Sequence, residues 1–230
     1  MTELAEAFAL ALKMIFTADP VVMEITLRTL AISASSTIIA CILFTPLACL
    51  IHFTKFRGRG ALIGFIQALY SMPTVLAGLL IFLVLSRTGP LGSLRLLFTT
   101  KAIVIAEVFL IAPVILGLVI SALKGVAGEA TDTVRALGAG RLQVAGVVLF
   151  EARFAVLSAF LLGFGRAISE VGAAMMVGGN IAGRTRTLTT AISLGIGMGE
   201  VAESIALGII LMMLALAVSL LVHLTGLRRI

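Results

Sequence analysis

Charge is scarce in this sequence. Only 12% of its 230 residues are Asp, Glu, Lys or Arg, against about a quarter in an ordinary soluble domain, so a water-soluble fold would have little to cover its surface with. There is no tryptophan, and Tyr70 is the only tyrosine. A net charge of +6 therefore comes without the aromatic-basic interleaving that would support nucleic-acid binding. Cys41 and Cys49 are the only cysteines. Both fall inside one apolar run, where they read as small packing residues rather than a disulfide or metal pair. His52 and His223 each sit near the end of a span, and no Cys/His cluster has zinc spacing. There is no nucleophile with a His or Asp partner, no H-E-x-x-H, and no G-x-x-x-x-G-K-[ST] phosphate loop. The sequence thus offers no catalytic residues, no metal ligands and no cofactor site of its own.

Apolar sequence is abundant: 60% of residues are hydrophobic and the mean hydropathy is +1.21. Runs of at least about 18 apolar residues recur, the signal of helical membrane spans. The short alternating segments of an outer-membrane barrel are absent. The expected class is an all-α integral membrane protein in the lipid bilayer.

Residues 1–20 carry Leu4, Phe8, Leu12, Ile15 and Phe16 at helical spacing against Glu3, Glu6 and Lys13. The acidic residues argue against a secretory signal, and a helix lying at the membrane surface is expected. Asp19-Pro20 ends it. A transmembrane domain of residues 21–226 follows, with five spans expected at about 25–53, 61–86, 102–123, 154–179 and 204–224. The first is rich in hydroxyls, among them Thr26, Thr29, Ser33 and Ser36, suited to close helix contacts. Pro73 predicts a kink in the second. The run 188–199 is too short to span and suits a re-entrant or interfacial helix.

Charges inside spans are costly and mark candidate functional residues. Glu107 lies near the start of the third span, where an interfacial position is equally open. Arg166 and Glu170, with Ser169 between them, are four apart at the centre of the fourth. On a continuous helix they share one face, as a structural ion pair or as the lining of a path or gate.

With five spans, Lys55, Arg57, Arg59, Lys124, Arg135, Arg141, Arg153, Arg228 and Arg229 fall on one side. Lys13, Arg87, Arg95, Lys101, Arg184 and Arg186 fall on the other. The larger set is expected in the cytoplasm, with the N-terminus outside and the C-terminus inside. The polar stretch 124–153 is then a cytoplasmic loop. No internal repeat is present, so a homodimer would supply the second half of a central path.

Within that loop, D-T-V-R-A-L-G-A-G-R-L-Q (132–143) resembles the "EAA" loop of ABC importer permeases, in which a glycine follows an acidic residue by six positions. Asp132 and Gly138 take those places. Thr133 and Val134 replace the usual alanines, and Glu151 stands where proline is usual. The stretch F-G-R-A-I-S-E-V-G-A-A-M-M-V-G-G-N-I (164–181), followed by L-T-T-A-I (188–192), is similar to oxyanion permeases for molybdate, sulfate and above all tungstate. The resemblance implies a type I ABC importer transmembrane domain. It implies two copies of this subunit, two cytoplasmic ATPase subunits that hold ATP and Mg, and an extracytoplasmic oxyanion-binding protein, in the inner membrane of a prokaryote. It also implies a coupling helix at roughly 128–142 with Asp132, Arg135 and Arg141 exposed around Ala136, Gly138 and Ala139. Gly138 is expected to let a partner backbone come close, since it lacks a Cβ. Molybdate or sulfate as cargo, or a secondary transporter acting alone, are the competing readings.

Overall fold

A computed structural model describes residues 2–227, and among them every regular element is helical. Arg228 and Arg229, which enter the orientation count, lie outside the described residues, as does the side chain of His223.

Helix α1 (Thr2–Phe16) occupies the N-terminal segment and rests along α10 (Val201–Leu227). Met14 joins Val22, Ile25, Leu207 and Ile210 in one apolar cluster. The chain then turns, and Asp19 starts α2 (Pro20–Phe53): its carboxylate accepts from the N–H groups of Val21 and Val22 at 3.0 and 3.1 Å. An acceptor at the N-cap and proline at the first helical position is the arrangement that best satisfies a helix start. At 34 residues α2 is about 50 Å long. It therefore exceeds the roughly 30 Å hydrocarbon core, and one end projects beyond it.

Helix α5 (Thr100–Ala136) is the centre of the bundle. Ala102, Ile103, Ala106, Ile111, Ile115, Val119 and Leu123 are fully buried along it. It packs most extensively on α2, whose small Ser33, Ser36, Thr37 and Ala40 face inward. Ile38, Ile39, Ile42 and Leu43 of α2 remain exposed. Polar-in and apolar-out is the pattern of a helix bathed in lipid rather than water.

Three helices are long and apolar enough to cross a membrane alone: Pro20–Phe53, Thr100–Val126 and Val201–Val218. Two bent pairs raise the number to as many as five. The first covers the expected span 61–86, with its kink at Pro73. Helix α3 (Arg59–Ala68) and one 3-10 turn (Leu69–Ser71) meet α4 (Thr74–Leu85) at 100°. Pro73 lacks an N–H and biases the residue before it away from the helical region. Met72 accordingly has φ −60° and ψ 128°, and the expected kink is a full corner. The second pair, α6 (Arg141–Glu151) and α7 (Arg153–Ile168), bends by 68°. The Arg153 guanidinium covers this corner, 4.1 Å from the Phe150 ring and 4.8 Å from the Phe154 ring, while donating to the Phe150 carbonyl at 2.7 Å.

The expected span 154–179 is also discontinuous. Helix α7 stops at Ile168, residues 169–171 are unwound, and α8 (Gly172–Gly178) follows. Glycine brings α8 close to its neighbours. A Cβ on Gly78 of α4 would lie 2.7 Å from the Ala173 Cα, and one on Gly178 would lie 2.7 Å from Ile103 Cδ1. Small residues at these points allow helices to approach where lipid gives no hydrophobic push. The short run at 188–199 forms α9 (Leu188–Met198), which at 11 residues is about 16 Å long and cannot span.

Candidate coupling turn and interior polar site

The segment expected as a loop with a short helix at 128–142 is a helical hairpin. Helix α5 does not end at the membrane; it continues to Ala136, so Asp132, Arg135 and Ala136 stand on its last turns. Val126, Val134 and Ala139 pack on the apolar core that includes Val144 and Val148 of α6, which gives the extended end of α5 a partner along its length. The turn itself is a Schellman cap. The Gly138 N–H donates to the Arg135 carbonyl at 2.9 Å and the Ala139 N–H to the Val134 carbonyl at 3.2 Å, with Gly138 at φ +84°. Gly140 then caps α6, its N–H donating to Gln143 Oε1 at 2.8 Å, and Arg141 is the first residue of that helix.

The turn gives a further reason for glycine at 138. A Cβ there would meet nothing within 4 Å in this chain, so the requirement seen here is the left-handed conformation rather than a close approach. Asp132, Arg135, Ala136, Gly138 and Arg141 are exposed and Ala139 is half-buried. Sequence reasoning missed Leu137 and Leu142, which flank the turn at 82% and 90% exposure. Two bare leucines at a polar tip form a docking surface more readily than the small residues between them.

The interior candidates are rearranged by the break in the fourth span. Arg166 is in the last turn of α7, but Glu170 lies within the unwound segment, so the two do not share a helix face. Glu170 Oε1 accepts from the Ala173 N–H at 2.9 Å, satisfying a donor at the start of α8. The Glu170 carbonyl accepts from Thr189 Oγ1 at 2.6 Å. Arg28 and Glu24 form an ion pair one turn apart on α2, whereas no Arg166–Glu170 pair forms. Arg166 is partly buried and has no carboxylate partner in Glu170. Ser169 is exposed, its hydroxyl donating to the Gly165 carbonyl at 2.8 Å.

Glu107 is buried among the helices. It is 3% exposed, inside the bundle, with the Ser36 hydroxyl and the Glu170 carboxyl as polar neighbours. Its Oε2 has no hydrogen-bond partner among the described residues.

Around these groups a chain of threonines pins the segment between α8 and α9. Thr185 Oγ1 donates to the Gly178 carbonyl at 2.7 Å and accepts from the Ile181 N–H at 2.9 Å. The Leu188 N–H donates to Thr29 Oγ1 of α2 at 2.9 Å, and Arg28 Nη1 donates to the Arg186 carbonyl at 3.1 Å. The hydroxyl-rich string R-T-R-T-L-T-T at 184–190 is the signal for this role, and Thr29 acts as the cross-helix hydrogen bonder expected of its span.

A multi-pass helical bundle with interrupted spans, buried charges at the breaks and an exposed hairpin at one end is the membrane subunit of a transporter. No protein-family model matches the chain. It is 37% identical to the tungstate uptake system permease protein TupB of Peptoclostridium acidaminophilum, over 97% of this chain and 98% of that protein. It is 34% identical to the protein of the same name from Campylobacter jejuni, over 95% and 91% respectively. A probable anion ABC transporter permease of Haloferax volcanii is 37% identical over 85% of this chain and 87% of its own length. Permeases named for molybdenum and sulfate also match, at lower identity and over less of the chain. The chain belongs to the oxyanion ABC-importer permease family that contains the TupB proteins.

Proposed function

We propose that this chain is the pore-forming subunit of an ATP-driven importer that carries tungstate into the cytoplasm. The observation that carries the cargo is the near full-length similarity to two proteins named as tungstate permeases. Two copies form the path. Two ATPase subunits, which hold ATP and Mg, sit beneath them, and an extracytoplasmic binding protein delivers the oxyanion.

The side on which the ATPases sit follows from charge. Lys55, at the end of α2, lines one cavity with Arg135 and Arg141 of the hairpin. Arg59 and Lys124 line another at the same end of α2 and α5. This gathering of basic residues supports a cytoplasmic position for the hairpin, with the N-terminus outside and the C-terminus inside. ATP binding draws the two ATPases together and moves both hairpins. Because α5 is one helix from the hairpin to Thr100, displacement at Gly138 is transmitted along it to Glu107 and the α8 packing surface. The bundle then opens outward to receive the anion, and hydrolysis resets it. Arg166, free of Glu170, supplies a single cation where the fourth span breaks. One charge attracts a dianion without holding it, as release at each cycle requires.

The test is uptake by proteoliposomes that contain the permease with its ATPase and binding protein. Tungstate uptake should require ATP and resist competition by equimolar molybdate or sulfate. Equal competition by either anion overturns the tungstate assignment, and ATP-independent uptake overturns the importer.

A further inference from the structure

At the same end as the hairpin, a cavity of about 310 Å³ lies between the end of α2, one face of α3 and α5. Its lining is His52, Arg59, Ile63, Gln67, Ile120, Ser121 and Lys124. Arg59, Ile63 and Gln67 recur every four residues, so one stripe of α3 forms a wall. The polar lining consists of groups able to donate hydrogen bonds, two of them cationic, and among the described residues no carboxylate lines the cavity. Glu151 stands in an adjoining cleft that Lys124 also borders.

Arg59 is held in place. Arg59 Nε donates to the Ile51 carbonyl and Nη2 to the His52 carbonyl, both at 2.9 Å. These bonds seat the guanidinium on the carbonyl end of α2, where a cation is favoured, and leave Nη1 uncommitted. His52 Nδ1 is buried without a hydrogen-bond partner. With no exposed surface, that nitrogen does not face the cavity, so the donors at its wall are those of Arg59, Gln67, Ser121 and Lys124. The space equals roughly ten water volumes. It lies at the lower end of the range of about 300–1,000 Å³ for small-molecule sites. A tetrahedral dianion matches the charge of Arg59 and Lys124 together and offers several acceptors to the donors of the wall.

We propose that this cavity is a binding site for one tetrahedral oxyanion of the tungstate class, at the inner end of the path, which holds the anion between passage and release. The placement rests on the importer reading above; the binding itself does not. The cavity is separate from the neighbouring one lined by Lys55, Arg135 and Arg141, whose wall includes Pro46, Cys49, Leu50 and Phe53.

The experiment is equilibrium binding of sodium tungstate to the purified permease in phosphatidylcholine nanodiscs, with sulfate as comparator. Arg59 also caps α2, so the variants are Lys124→Gln and Gln67→Glu, both at exposed positions. Wild type should bind one tungstate per chain. Each variant should weaken it by about tenfold or more, the effect of losing or opposing a charge-assisted hydrogen bond, with unchanged melting and dimer elution. Absence of saturable binding, or wild-type affinity in both variants, overturns the site. Binding that vanishes in phosphatidylglycerol nanodiscs assigns the cavity to lipid headgroups and also overturns it. Uptake by the complete transporter separates the two claims. Transport without saturable binding to the permease removes only this site, whereas binding without transport of any oxyanion removes the importer reading.

Discussion

Replacing Gly138 with valine tests the hairpin as the coupling element. Gly138 holds φ +84° at the cap of α5, and two backbone hydrogen bonds close the turn around it. A residue with a Cβ pays about 1–2 kcal/mol for the left-handed conformation, and a β-branched residue lies at the upper end or beyond. That lowers the closed-to-open ratio of the turn by about 5- to 30-fold. No clash accompanies the change, because nothing lies within 4 Å of the new Cβ. The core contacts of α5 along Ile103, Ile111, Ile115 and Val119 are far from the turn, so the subunit should stay folded. The assay is ATP hydrolysis by the reconstituted complex, with and without loaded binding protein, beside thermal melting of the permease. Substrate-stimulated hydrolysis should be lost while melting is unchanged. Asparagine tolerates the left-handed region, so Gly138→Asn should keep part of the response. A Val variant with the wild-type response refutes the coupling role. An Asn variant as inactive as Val would show that a partner backbone occupies the space that the missing Cβ leaves.

Further substitutions probe the remaining contacts. Leu142→Glu puts a charge on an apolar tip that is 90% exposed, and should cut ATPase co-purification at least tenfold without altering melting; undiminished co-purification would remove Leu142 from the docking surface. Thr29→Val keeps the shape of the side chain but leaves the buried Leu188 N–H unpaired, and should cost about 1–3 kcal/mol by chemical unfolding in detergent; an unchanged midpoint would argue that water replaces the hydroxyl. Gly78→Val places side-chain atoms where the Ala173 backbone already lies, and should cost about 1–3 kcal/mol or more on the same measurement. The charge-swapped Arg166→Glu/Glu170→Arg double variant should recover none of the stability lost in the single variants, since no ion pair joins them; recovery to wild-type melting would contradict the observed geometry.

Much of the membrane architecture is legible in the sequence because lipid imposes a one-dimensional rule. Every backbone group in the bilayer must be paired within its own helix, so length and hydropathy alone locate segments such as Thr100–Val126 and Val201–Val218. The short run that became α9 is legible for the same reason, as 11 residues cannot reach across. Asp19-Pro20 is a local signal at the start of α2 and needs no tertiary partner. The pattern around Asp132 and Gly138, and the Ile-Ser-Glu-Val-Gly core, point to the permease family that the comparisons establish.

The breaks are less legible, since hydropathy does not register an unwound turn inside an apolar run. Pro73 marks a disturbance, but only the packing of α4 on α8 decides that it becomes a 100° corner. At Ser169–Glu170 no proline warns of the interruption. It is stabilised by Ala173 donating to the Glu170 carboxylate and by Thr189 reaching its carbonyl from a helix 19 residues on. The spacing of Arg166 and Glu170 suggests a shared face, and the break removes it. The fate of residues 124–153 was likewise a tertiary matter. Polar composition marks where the chain leaves the membrane, whereas packing along Val126, Val134, Val144 and Val148 keeps α5 helical to Ala136. The sequence by itself determined that the chain lives in a bilayer, which segments are apolar enough to cross, and to which family it belongs, because these follow from composition and local order. The tertiary structure alone decided where helices break, which charges stay unpaired, and that His52, Arg59 and Lys124 line one cavity. Each of those depends on hydrogen bonds and contacts between residues far apart in the chain.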